Sequence, residues 1–162
     1  MLSVGERAPA FRLSDLDGRE HALDQALASG PALLVFWKSD CAICDLIFPY
    51  LGRLAEAYPQ ERWSLWAVSQ DGVEAARAFA QKHRTPFDVL VDGEGWPVSR
   101  AYDPDATPTL FLVGADGVIE ETSVGFSKAD LNEVSRRLAE SLETARVDVA
   151  PADDGQPDFR PG

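Results

Sequence analysis

Cysteine is scarce in this chain: Cys41 and Cys44 are the only two among 162 residues. That count argues against a disulfide-dense scaffold. It also argues against a structural zinc site, which needs four ligands, usually Cys or His; the two histidines, His21 and His83, show no finger spacing and read as surface residues. Positive charge is short as well. Fifteen Lys and Arg stand against 27 Asp and Glu, for a net charge of -12, which argues against nucleic acid or an anionic membrane as partners, because phosphate binding needs a basic face. No apolar run reaches the roughly 20 residues that a membrane-spanning helix needs. The opening MLSVGERAPAF has neither the basic start nor the apolar core of a secretory signal, which suggests a cytoplasmic protein, or a periplasmic one if a leader had been removed. At this length the chain reads as one domain with a core that needs no staples.

What is present has a regular order. PAFRLSDLDGREHAL reads as two short strands around an Asp17-Gly18 turn. PALLVFWK (31–38) is apolar almost throughout, as in a central strand covered on both faces. Apolar residues then recur at helical spacing from Ile43 to Tyr58, with Pro49 expected to kink that helix. WSLWAVS (63–69) and FDVLVD read as further buried strands. Between them DGVEAARAFAQKH reads as a helix with Val73, Ala76, Phe79 and Ala80 inward. GWPVSRAY reads as a short helix, and PTLFLVGADGVIEETSVG as a hairpin turning at Asp116-Gly117. Ser127 and Asp130 resemble a capping box for a last helix that buries Leu131, Val134, Leu138 and Leu142. Trp63, Trp66 and Trp96 read as packing residues. Strands alternating with helices predict an α/β sheet core over residues 1–145. Residues 146–162, rich in Pro and Asp, predict a disordered or loosely docked tail.

The two cysteines fall where the central strand gives way to a helix, in FWKSDCAICDLIFPY. A helix N-terminus offers free N–H groups and the positive end of the dipole, and both favour a thiolate. Cys44 is one turn further along the same face, within disulfide reach of Cys41. Cys41 can therefore attack a disulfide in another molecule, and Cys44 can resolve the mixed disulfide that forms. Packing beside Ile47 and Pro49 should keep Cys44 protonated until then. A purely structural disulfide is the weaker reading, because so short a loop gains little from closure.

LLVFWKSDCAIC, Pro49 five residues after Cys44, and ATPTLFLVGADGVI together resemble the thioredoxin superfamily. The resemblance is to its TlpA/ResA-like branch, which shares ground with the AhpC/TSA redoxins, and it extends over roughly residues 4–143. It implies a thioredoxin fold, with a central mixed sheet flanked by helices, an N-terminal β-hairpin and a central αβ insertion around LWAVSQDG. It also implies a cis peptide at Thr107-Pro108 facing the dithiol, and thiol–disulfide exchange with protein disulfides or dithiols, fed by an unidentified electron donor and needing no cofactor. Cys41 and Cys44 would be catalytic. Trp37, Asp40, Ala42, Ile43, Thr107 and Pro108 would line the substrate site.

Departures from the family pattern are specific. Asp40 stands where relatives place Trp, and its charge would oppose a thiolate unless Lys38 offsets it. The buried acid that shuttles a proton for the second cysteine is replaced by Val35 or Ile47, leaving Asp45, Asp40 or water. Two other functions share the fold. Peroxiredoxins bind peroxide through a Thr or Ser three residues before the reactive cysteine, preceded by Pro; here those positions are Lys38 and Trp37. A non-catalytic binding module is the third reading.

Overall fold

A computed structural model describes residues 1–162. Its centre is β3 (Ala32–Trp37), in which every residue is buried. Side chains on a strand alternate between faces, and here the two faces feed two separate cores. Leu33, Val35 and Trp37 join the larger cluster with Ile47, Phe48, Leu51, Phe79, Leu131 and Leu138. Ala32, Leu34 and Phe36 join the smaller one with Leu23, Trp66, Val98, Tyr102 and Phe111. The almost unbroken apolar run of β3 thus reflects a strand sandwiched between two layers.

Seven strands make the sheet: β1 (Arg12–Asp15), β2 (Glu20–Ala22), β3, β4 (Ser64–Ser69), β5 (Asp88–Val91), β6 (Thr109–Val113) and β7 (Ile119–Val124), in the order β2-β1-β5-β4-β3-β6-β7. β3, β4 and β5 are parallel, and the remaining pairings are antiparallel, so the sheet is mixed. Helices α2 (Ala42–Ala57), α3 (Val73–Lys82) and α5 (Lys128–Ser141) supply the larger core. Helices α1 (Leu23–Leu27) and α4 (Pro97–Tyr102) cover the other face. The expected hairpins turn at Gly18 and Gly117, whose φ values of 84° and 83° suit glycine in turns of this kind. The N-terminal hairpin and the α3–β5 unit extend the sheet at one side.

Several expectations need correction. Val73, read as inward, is 44% exposed, and Trp96 is 50% exposed with its indole N–H donating to the Gln70 carbonyl at 2.8 Å. Neither histidine is a free surface group. The Nε2 of His21 lies 2.8 Å from Asp15, and that of His83 lies 2.8 Å from Asp45, its ring against those of Phe48 and Phe79. The capping box is half-formed. Ser127 accepts from the Asp130 N–H at 3.2 Å, while the Asp130 carboxylate turns away to accept from Ser123 at 2.7 Å.

The largest difference concerns residues 146–162, which are firmly docked rather than disordered or loosely held. Val149 and Ala150 are each 2% exposed and belong to the larger core. Asn132 clamps the Ala150 backbone, donating to its carbonyl at 2.9 Å and accepting from its N–H at 3.1 Å. Tyr58 accepts from the Val147 N–H at 2.8 Å. Lys128 is 4% exposed, and a buried ammonium is costly without acceptors. The tail supplies them: the Asp154 carboxylate at 2.7 Å and the Gln156 carbonyl at 2.9 Å. Composition signalled disorder because it counts only what the tail can bury by itself, whereas the partners of this tail lie on α2 and α5.

Candidate active site

Register brings the site together. Phe36 on β3 pairs with Thr109 on β6, and Thr109 pairs with Val124 on β7. The residues after β3, before β6 and after β7 must therefore meet at one end of the sheet. Those are the Cys41 loop, the Thr107-Pro108 loop and Gly125. The Gly125 N–H donates to the Pro108 carbonyl at 2.8 Å, tying the second loop to the third. The Thr107-Pro108 bond is cis, as the resemblance implied.

Cys41 is the N-cap of α2, with extended φ/ψ of -110° and 111°. Its Sγ accepts from the Cys44 N–H at 3.2 Å, the part that Ser or Asp plays at other helix starts. The Cys41 thiol also lies 3.2 Å from the Thr107 carbonyl oxygen, to which it donates. Sulfur, helix terminus and cis-proline loop are thus in direct contact. Cys41 is partly exposed, whereas Cys44 is fully buried, and both are free thiols. Burial pushes the Cys44 thiol strongly upward, and its hydrogen bond with Cys41 pushes it the same way. The order of the two sulfurs follows: one is reachable and helix-capped, the other buried and protonated.

The other expected site residues are divided. Thr107 is half-buried and Pro108 buried, while Ala42 is exposed and Ile43 half-buried on the first turn of α2. All four lie on the two segments that the Cys41–Thr107 contact joins. Asp40 is at the edge of the site; its side chain is 77% exposed and 3.7 Å from Lys38, so solvent and the lysine screen its charge. Trp37 is not a substrate contact. It is completely buried, with its ring centroid 4.5 Å from that of Phe79 and 4.8 Å from that of Phe48. Strand alternation decides this, because position 37 faces the larger core together with Leu33 and Val35. One contributor was missed: Asp71, whose carboxylate accepts from the Ser39 N–H at 2.5 Å and holds the loop before Cys41. Only the adjacency of β3 and β4 brings it there, and no local pattern marks it.

Of the proton acceptors considered for Cys44, Asp45 is unsuited. Burial alone would raise its carboxyl, but hydrogen bonds from Lys82 at 2.7 Å and His83 at 2.8 Å outweigh this and hold it below the usual carboxylate range. A carboxylate so committed is a poor base. Asp45→Asn is therefore expected to leave thiol exchange nearly unchanged and to lower stability at neutral pH. A depressed carboxyl stabilises the fold above its unfolded pKa of about 3.9, and the gain is lost as pH falls through the folded value. The gap in urea midpoint between wild type and variant should narrow as pH falls below the unfolded value of about 3.9 and through the lower folded one. A large loss of exchange with an unchanged midpoint would return Asp45 to the proton path.

A dithiol at the N-terminus of the helix that follows the central strand, faced by a cis-proline loop on a mixed sheet, defines a protein of the thioredoxin fold. Comparison with known proteins agrees. The AhpC/TSA family model matches residues 4–122, and the chain belongs to that family. Over 134 residues it is 31% identical to the thiol-disulfide oxidoreductase ResA of Geobacillus thermodenitrificans, covering 82% of this chain and 76% of the relative. Among solved structures, a candidate thiol:disulfide interchange protein DsbE from Chlorobium tepidum superposes with a TM-score of 0.77 at 27% identity, covering 88% of this chain and 99% of that one. A secreted disulfide oxidoreductase of Mycobacterium tuberculosis gives 0.65 at 26% identity, covering 80% and 95%. These relatives support thiol–disulfide oxidoreductase chemistry. No helix is long and apolar enough to cross a membrane.

Proposed function

We propose that this protein reduces disulfides in other proteins through the Cys41–Cys44 dithiol. The observation that carries the reading is the reachable, helix-capped Cys41 sulfur held 3.2 Å from the Thr107 carbonyl, with the buried Cys44 thiol one turn behind it. The Cys41 thiolate attacks one sulfur of a substrate disulfide. A Cys41–substrate S–S bond forms, and the other substrate sulfur leaves as a thiolate that takes up a proton. Cys44 then loses its proton to water and attacks the Cys41 sulfur. The Cys41–Cys44 disulfide forms, and the second substrate sulfur leaves as a thiol. Two electrons have passed to the substrate, and an external dithiol restores the pair. Thr107 and Pro108 form the wall against which the substrate backbone lies.

Peroxide reduction is the less favoured activity, because the positions that would bind peroxide hold the buried Trp37 and the exposed Lys38. Stopped-flow measurement with both oxidants separates the two. A protein disulfide should oxidise the dithiol far faster than hydrogen peroxide, which should react as it does with an ordinary thiolate. A redox titration should place the pair nearer the thioredoxin potential of about -270 mV than the DsbA value of about -120 mV. Faster oxidation by peroxide would reverse the ranking of activities, and a DsbA-like potential would reverse the direction of electron flow.

A further inference from the structure

The docked tail has two parts that are held differently. Residues 147–156 are anchored by the core contacts of Val149 and Ala150, by Asn132 and by the buried Lys128. Asp154 within that anchor is held well below the usual carboxylate range by hydrogen bonds from Lys128 and then Tyr50. Past Gln156 the chain is almost entirely exposed, and it is held mainly by its backbone. The Lys128 N–H donates to the Asp158 carbonyl at 3.0 Å, and Ser127 and Phe126 on β8 (Phe126–Ser127) pair antiparallel with Phe159 and Arg160 on β9 (Phe159–Arg160). Phe159 is 55% exposed, so this arm adds nothing to the core.

Its course is what matters. Running antiparallel to β8, the arm crosses Gly125 and ends against the cis-proline loop. A Cβ placed on Gly162 would lie 2.9 Å from the Thr107 carbonyl oxygen, 3.0 Å from the Ala106 methyl and 3.4 Å from the Gly125 Cα. That Thr107 carbonyl is the acceptor of the Cys41 thiol. The backbone of the arm lies so close over Gly125 that a Cβ there would strike the Arg160 carbonyl and the Gly162 nitrogen. A second polypeptide cannot share this track.

We propose that residues 157–162 are a tethered, displaceable occupant of the groove through which an extended polypeptide reaches Cys41. The groove consists of Thr107, Gly125 and the β8 edge at Phe126–Ser127. A substrate segment bearing the disulfide adds to that edge as an antiparallel strand, as the arm does, and must first lift the arm away. This regulation rests on the oxidoreductase reading above. The anchor makes it reversible, because an arm tethered by so few residues competes at an effective concentration in the millimolar range. Apparent substrate affinity falls by the fraction of molecules whose groove is open. A small disulfide that needs no groove is unaffected.

The experiment compares the full chain with a variant that ends at Gln156, which keeps the anchor and the Asp154 and Gln156 acceptors of the Lys128 ammonium. The substrates are a ten-residue peptide disulfide and 2-hydroxyethyl disulfide. Truncation should raise kcat/KM for the peptide by about three- to tenfold through KM, with little change for the small disulfide. A second variant keeps the whole chain. Because Lys128 and Asp158 form a hydrogen-bonded pair, Phe126 and Arg160 form the next, so Arg160→Pro deletes an N–H from the strand pairing and should move the peptide rate in the same direction. A synthetic peptide of residues 156–162 should inhibit the truncated form competitively. Equal peptide rates in all three proteins, or an equal rise with both substrates, would overturn the proposal. Absence of exchange with 2-hydroxyethyl disulfide in every form would overturn the oxidoreductase reading itself, and the proposal with it.

Discussion

Cys44→Ser should accumulate mixed disulfides with partner proteins, visible as reducible adducts on a non-reducing gel, whereas Cys41→Ser should accumulate almost none. The asymmetry follows from position. Cys41 caps α2, is partly exposed and touches the Thr107 carbonyl, so with Cys44 removed it can still attack but its adduct has no resolving thiol. Cys44 is fully buried, and its thiol is driven strongly upward by that burial and then by its hydrogen bond with Cys41. The thiolate is the attacking species, and each unit of upward shift costs tenfold in thiolate at neutral pH. Turnover of a protein disulfide by Cys41→Ser should therefore fall by at least about a hundredfold. Mass spectrometry of the Cys44→Ser adducts would also identify the substrates. Adducts on Cys41→Ser with none on Cys44→Ser would exchange the two roles.

Trp37→Ala should be among the most damaging substitutions outside the dithiol, although it changes no group that touches substrate. Trp37 is completely buried against Phe48 and Phe79, and removal of such a ring costs about 3–5 kcal/mol. A domain of this kind has only about 5–15 kcal/mol in total, so the urea midpoint should fall steeply. Trp37→Phe should be far milder. The indole N–H is buried without a partner, and an unsatisfied donor already costs about 1–3 kcal/mol, a penalty that phenylalanine removes while keeping the aromatic contacts. The KM for a protein disulfide should not change in Trp37→Phe. A tenfold rise in KM at unchanged stability would restore Trp37 to the substrate site.

Periodicity and turn chemistry were enough to place most elements. The all-apolar run at 31–38, the Asp-Gly turns and the helical spacing after Cys41 each correspond to an element of the structure, because each is a local consequence of burial on one or two faces. The dithiol was legible for the same reason: its chemistry depends on two residues one turn apart at a helix start. The side on which a residue faces was less legible. Trp37 is adjacent to the reactive loop in sequence, yet strand alternation turns it into the core, and His83 looks like a solvated helix end until α2 brings Asp45 to it.

By itself, then, the sequence determined the α/β order of elements, the dithiol, the order of its two sulfurs and, through resemblance, the cis-proline loop. Tertiary structure alone decided what surrounds them. Thr107 meets Cys41 because β3 and β6 pair at Phe36 and Thr109, a contact that spans 66 residues. The tail is ordered because Lys128 is buried and needs acceptors, and because Asn132 and Tyr58 present groups that its backbone can bond. Each of these contacts joins groups distant in the chain, so local propensity, which registers what a segment can do with its own neighbours, carries no trace of them.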